Sequence, residues 1–240
     1  MEKNNKELII GIDDAGRGPV IGPMVLAGVL IPREVEEEFR RAGIKDSKLL
    51  TPKKRKELAK IIKEVCIDWK CQIISPIEID TGFGMGVNLN EVEAIASAAI
   101  INTLVSNLTE EQKKNLVIVI DCPSNNPNAW LVILNKHIKP ENQKIRIRAE
   151  HKADFHYPSV SAASIIAKVT RDAEIEKLKE KYGDFGSGYP SDKRTIDFLK
   201  ENFEKLKKEK IFRESWQTLD NIGILNNTGI KKKTLQKTLF

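Results

Sequence analysis

Long apolar runs are missing from this chain. No stretch of its 240 residues is long and apolar enough to span a bilayer. The one early apolar run is interrupted by Asp13, Asp14 and Arg17, so it also fails as a signal peptide. Cysteine is scarce: Cys66, Cys71 and Cys122 make an odd count and form no Cys-x-x-Cys or Cys/His set. That argues against a disulfide framework or a zinc site and points to a reducing, cytoplasmic setting. No internal repeat is visible, and low complexity is confined to lysine-rich patches at 205–210 and 231–233. A G-x-x-x-x-G-K-[ST] loop is absent, which leaves a nucleotide-binding ATPase without support. Gly16, Gly18 and Gly22 have the wrong spacing for a dinucleotide fingerprint, and no helix is expected to open there.

The chain does have the makings of a globular fold, at 40% hydrophobic and 31% charged. Its length suits one substantial domain, or one domain with an appendage. Lys and Arg number 40 against 34 Asp and Glu, a net charge of +6. This mild excess is compatible with a nucleic-acid partner without proving one. Apolar, β-rich runs predict strands at 7–12, 24–31, 67–75, 116–120 and 144–149. The first two are expected to pair antiparallel, and the fourth, VIVI, to be a central parallel strand. Helices are predicted at 34–42, from Thr51-Pro52 onward, and at 88–108, 128–137, 158–182 and 192–210. Gly82 to Gly86 reads as a flexible stretch. Three strands, then strand–helix alternation, then helices describe an α/β fold: a mixed five-stranded sheet flanked by helices, with a helical C-terminal extension. The expected division is 1–190 for the main domain and 191–240 for the extension and its basic tail.

Chemistry concentrates in LIIGIDDAGRGPVIGP, Leu8 to Pro23. Asp13 and Asp14 place two charges where an apolar strand is expected to end. Desolvated carboxylates need a cation, a proton or donors nearby. Gly16, Arg17 and Gly18 follow, a turn whose backbone can approach a polyanion closely. Carboxylates beside such a turn suggest phosphate ester chemistry. Asp121 repeats the pattern at the end of VIVI. Taken alone it fits a turn cap with Pro123 and Ser124 slightly better; the parallel with Asp13 reverses that in favour of a shared metal at the tips of neighbouring strands. Asp154 lies between the fifth strand and a small-residue helix, beside His151 and Lys152. For His151 a structural hydrogen bond is the commoner role. Asp172 competes with Asp154, but its place inside a helix beside Arg171 suits an ion pair or a solvated site.

At this point the chain resembles the ribonuclease HII family, of the archaeal type, over roughly residues 8–216. The resemblance rests on DDAGRGPVIGP, KDSKLL, NLNEVEA, IDCPS, EHKAD, SAASIIAKVTRD and GSGYPSD, which occur in that order. It implies a ribonuclease H-like fold and a metal-dependent endoribonuclease. Such an enzyme would cleave the RNA strand of RNA/DNA hybrids and incise 5′ of ribonucleotides embedded in duplex DNA, leaving a 5′-phosphate and a 3′-hydroxyl. The family's catalytic, metal-holding acids fall on Asp13, Asp14, Asp121 and Asp154, where Asp14 replaces the family's usual Glu. Hard oxygen ligands suit Mg²⁺ or Mn²⁺, and two such ions can activate water and stabilise a leaving oxygen. The resemblance places Gly16, Arg17 and Gly18 at the 2′-hydroxyl and Tyr189 on the following sugar. Apart from it, Lys48, Lys152 and Lys168 are candidate phosphate contacts, though surface lysines are usually just solvated, and Arg17 is the stronger candidate because Arg binds phosphate oxygens in bidentate fashion. A lone Tyr near a turn also fits an ordinary core position. The tail residues Gln236, Leu239 and Phe240 partly resemble a sliding-clamp-binding peptide, and a frayed basic tail is the other reading. A monomer is the family default. A non-catalytic hybrid-binding protein is the alternative that the Asp14 replacement keeps open.

Overall fold

A computed structural model describes residues 7–44 and 50–225. Lys48, most of KDSKLL, and the tail residues Gln236, Leu239 and Phe240 therefore lie outside the described residues. β1 (Leu8–Ala15) and β2 (Met24–Pro32) pair antiparallel, with Leu8 opposite Pro32 and Ala15 opposite Val25. The sequence reading ends the first strand at Ile12. The strand instead continues through both aspartates, because Asp13 and Asp14 keep Ala27 and Leu26 as partners. α1 (Val35–Arg41) follows, then α2 (Pro52–Val65), where the Thr51 hydroxyl accepts the Lys54 amide at 3.2 Å and Pro52 fills the first position.

β3 (Asp68–Ile74) leads into α3 (Pro76–Gly84), a helix where the glycines suggested flexibility. Its start is fixed locally: Ser75 and Glu78 cap each other's backbone amides and Pro76 opens the first turn. That signal outweighs the glycines near the helix end. The chain continues through α4 (Leu89–Leu104), α5 (Glu110–Lys114), β4 (Leu116–Asp121), α6 (Pro127–His137), β5 (Arg146–Glu150) and α7 (Ala153–His156). It ends its described course with α8 (Pro158–Tyr182), α9 (Lys193–Leu206) and α10 (Gln217–Asn221).

The sheet runs β3-β2-β1-β4-β5, with β1, β4 and β5 parallel. Two compact units emerge from the backbone contacts. The described part of the first is 7–15, 25–44, 50–73 and 90–172; that of the second is 16–24, 74–89 and 173–225.

In the first unit, strand side chains alternate between faces. One face buries Ile9, Ala15, Val25, Val29 and Ile31 with Phe39 of α1, Leu58 and Ile62 of α2, and Val160, Ala163 and Ile166 of α8. Gly11 belongs to that face. A Cβ there would lie 2.2 Å from the carbonyl carbon of Ser159, so α8 rests directly on the backbone of β1. On the opposite face Gly28 meets Ile100 and Leu104 of α4. In the second unit, Phe203 of α9 packs on Phe212, ring centroids 5.2 Å apart, and Ile21 bridges to Phe212. Among the described residues no helix is long and apolar enough to cross a membrane.

Candidate active site

The pleat of β1 separates the two aspartates. Asp13 shares the face of Gly11 and is turned under α8, where it is only 6% exposed; Asp14 points the other way and is half-buried. Two residues along a strand cover about 6.6 Å, and five along a helix cover about 7.5 Å. So the helix that touches Gly11 at Ser159 brings Ser164 to Asp13, and its hydroxyl donates to the carboxylate. A bulkier helix could not lie this close; Ala162, Ala163 and Ala167 are all buried in it. The Asp14 amide donates to Asp13 Oδ1 at 2.7 Å.

The register of β4 supplies the third acid. Ile12 pairs with Ile120, so the next residue of each parallel strand, Asp13 and Asp121, stands at the same level. Asp121 Oδ1 accepts the Ala153 amide at 2.8 Å. This fastens the start of α7 to β4 and seats Asp154, the following residue, in a buried position. Burial pushes the Asp13 carboxyl well above its ordinary value, and the negative charges of Asp14 and Asp121 push it further. The bonds from Ser164 and the Asp14 amide offset part of that rise.

The donor chemistry fits a hard divalent cation: carboxylate oxygens, partly desolvated, each raising the cost of the other's charge. Among the described residues no three His, Cys, Asp or Glu side chains form a finished ion cage.

Lys168 lies one helical turn beyond Ser164 on the same stripe of α8 and is half-buried. Lys152 is exposed and caps the start of α7 in a left-handed conformation, φ 57°, which costs a side-chain-bearing residue on the order of 1 kcal/mol. His151 Nδ1 lies 3.3 Å from the Cys122 carbonyl oxygen, in keeping with its structural reading. Asp172 does form an ion pair, though with Arg55 at 3.3 Å. Ser164 was not anticipated: its motif was noted for small residues, and nothing in a sequence says which serine of a helix meets a strand.

The second unit carries the other site candidates. Gly16 adopts φ +87°, a turn that only glycine makes without strain. Tyr189 is 38% exposed, so it is no core aromatic, and its Cε1 lies 3.4 Å from where a Cβ on Gly18 would sit. The backbone joins these segments: the Gly188 carbonyl accepts the Val20 amide at 2.8 Å, and the Gly188 amide donates to Thr195 Oγ1 at 3.0 Å. Asp192 accepts from the amides of Ser187 and Arg194, which holds its carboxyl below the ordinary value and pins the Tyr189 loop to α9. The Gly16-Arg17-Gly18 carbonyls are gripped from the C-terminal side. Arg213 donates to Gly16 at 2.6 Å and to Arg17 at 2.8 Å, and Trp216 Nε1 donates to Gly18 at 3.2 Å. Neither Arg213 nor Trp216 was singled out as functional from the sequence.

A family model described as Ribonuclease HII matches residues 10–219. The ribonuclease HII of Pyrococcus furiosus is 44% identical over 230 residues, covering 95% of this chain and 95% of that protein. The crystal structure of ribonuclease H2 from Pyrococcus horikoshii OT3 matches with a TM-score of 0.77 at 40% identity, over 90% of this chain and 96% of that one. The PCNA:RNase HII complex from Archaeoglobus fulgidus contains a chain that matches with a TM-score of 0.74 at 40% identity, over 87% and 95%. The five-stranded mixed sheet is thus a ribonuclease H-like fold, and the chain belongs to the ribonuclease HII family of hydrolytic nucleases.

Proposed function

We propose that this protein is an endoribonuclease that hydrolyses the RNA strand of RNA/DNA hybrids and incises duplex DNA 5′ of an embedded ribonucleotide. The observation that carries the reading is the buried Asp13 carboxylate, opposed by the charges of Asp14 and Asp121. A site that assembles like charges in this way stores a demand for cations. Asp13, Asp14, Asp121 and Asp154 are the residues that would hold Mg²⁺ or Mn²⁺, two ions in the active complex. When bound, the ions supply a water nucleophile at neutral pH and charge stabilisation for the leaving oxygen. The protein's own part is orientation. Ser164 and the Asp14 amide aim Asp13, and the Ala153 amide aims Asp121.

Gly16, Arg17, Gly18 and Tyr189 read the ribose 2′-hydroxyl and the sugar after it, since that hydroxyl alone marks a ribonucleotide in DNA. Arg17, Lys152, Lys168 and Lys48 contact phosphates. The protein works as a cytoplasmic monomer. A duplex carrying one ribonucleotide, supplied with Mg²⁺ or Mn²⁺, should be cut on the 5′ side of that ribonucleotide to leave a 3′-hydroxyl. Binding without incision in either metal would replace this reading with the non-catalytic one. Asp14→Glu should retain or raise activity, because it restores the acid that relatives resembling this chain usually carry, at a position that is only half-buried. Complete loss would show a backbone shaped for the shorter acid.

The C-terminal Gln236, Leu239 and Phe240 dock on a sliding clamp; the Archaeoglobus complex supports this, being a relative seen with PCNA. Deleting 234–240 should abolish clamp binding in a calorimetric titration while leaving cleavage intact, and unchanged clamp affinity would refute the assignment.

A further inference from the structure

We propose that Arg213, assisted by Trp216, is a positioning residue that presents the Gly16-Arg17-Gly18 backbone to the ribose. The proposal rests on the reading of that loop as the ribonucleotide sensor. Arg213 is fully buried. Its guanidinium donates to three carbonyls of one loop: Gly16 at 2.6 Å, Arg17 at 2.8 Å and Gly22 at 3.0 Å. Its other face lies over the Trp216 ring, 4.9 Å from the centroid, and Trp216 Nε1 takes the Gly18 carbonyl. A buried cation is costly unless its donors are satisfied, so this packing is specific. The supporting segment is itself fixed, because Asp80 of α3 accepts from the amides of Glu214 at 2.8 Å and Ser215 at 3.0 Å.

The consequence follows from the peptide plane. In a trans peptide the C=O of one residue and the N–H of the next point in opposite directions, and among the described residues every peptide is trans. Turning the Gly16 and Arg17 carbonyls inward to Arg213 turns the Arg17 and Gly18 amides outward as an adjacent pair of donors. The other two gripped carbonyls, of Gly18 and Gly22, precede Pro19 and Pro23, which have no amide to turn. On that side the loop's amides are those of Arg17 and Gly18, so their direction is set by the Arg213 grip. A guanidinium on the carbonyl side also polarises those peptide units and strengthens their N–H groups.

The test is the affinity preference for a duplex with one ribonucleotide over the same duplex made wholly of DNA. It is measured by fluorescence anisotropy without divalent metal, so that no turnover intervenes. Arg213→Lys keeps the charge but loses the fork that spans separate carbonyls; Arg213→Met loses both. The preference should fall about tenfold in Arg213→Lys, the worth of one good hydrogen bond, and further in Arg213→Met. Affinity for the all-DNA duplex should change little. If the Arg213 variants fail to fold, Trp216→Phe decides, since it keeps an aromatic face beside Arg213 and removes the donor to Gly18. A wild-type preference that survives in every folded variant overturns the role of Arg213 and leaves the loop's sensing intact. A wild-type protein with no preference overturns the sensing assignment, and this inference with it.

Discussion

Asp13→Asn is expected to abolish cleavage and, at the same time, to raise the thermal stability of the ion-free protein. Activity should drop by at least about a thousandfold, equivalent to about 4 kcal/mol of transition-state stabilisation, because an amide cannot balance a divalent ion's charge. Stability should rise because burial and the charges of Asp14 and Asp121 place the Asp13 carboxyl above its ordinary value. A folded-state pKa above the unfolded one means that the native protein holds this proton more tightly. The stabilisation is then complete below the unfolded pKa, near the reference 3.8, and is lost as pH rises through the folded value. Above the folded value the wild type carries the full penalty of an ionised, crowded carboxylate, and the asparagine variant does not. Melting temperatures of the two proteins in chelator should therefore diverge as pH rises and converge in acid. Added Mg²⁺ or Mn²⁺ should raise the wild-type melting temperature, since ligand binding to the native state stabilises it, and raise the variant's much less. A variant less stable than wild type at every pH would mean that the bonds from Ser164 and the Asp14 amide outweigh burial and repulsion.

What the sequence reveals about this site depends on distance along the chain. Strands β2 and β4, the Thr51 cap of α2 and the span of α8 are all written in local patterns: apolar runs, a Thr-Pro start, a small-residue helix. The acids at Asp13 and Asp121 are legible for the same reason, since each interrupts or ends an apolar run. The end of β1 is misjudged because charge normally stops a strand. Here the ladder to β2 continues, with Asp13 and Asp14 paired to Ala27 and Leu26. α3 is missed because Gly82 and Gly84 break up its last turn and only nine residues carry it, although Ser75 and Glu78 mark its start. That omission matters, for Asp80 on α3 holds the segment bearing Arg213. Ser164, Asp80 and Arg213 share one property. Each acts on a backbone or carboxylate more than 100 positions away in the chain, and no local periodicity carries that information.

The contact that brings Ser164 to Asp13 gives the other large effect. Gly11→Ala should destabilise the protein by about 3 kcal/mol or more, the upper range for forcing atoms into a packed core. The added Cβ would meet the Ser159 carbonyl carbon at 2.2 Å, its oxygen at 2.3 Å and the Val160 nitrogen at 2.4 Å. All three are backbone atoms of α8, so no side chain can rotate away. Relief requires lifting the helix or bending β1, and either movement separates Ser164 from Asp13. Cleavage should therefore fall further than the loss of folded protein accounts for. Gly18→Ala makes the matched control for stability. A Cβ there meets only the Tyr189 ring, at 3.4 Å and 3.7 Å, an ordinary contact. Urea unfolding of the two variants separates the cases: a large fall in midpoint for Gly11→Ala and little change for Gly18→Ala. An unchanged midpoint in Gly11→Ala would mean that α8 does not rest on β1, and the alignment of Ser164 with Asp13 would lose its structural basis.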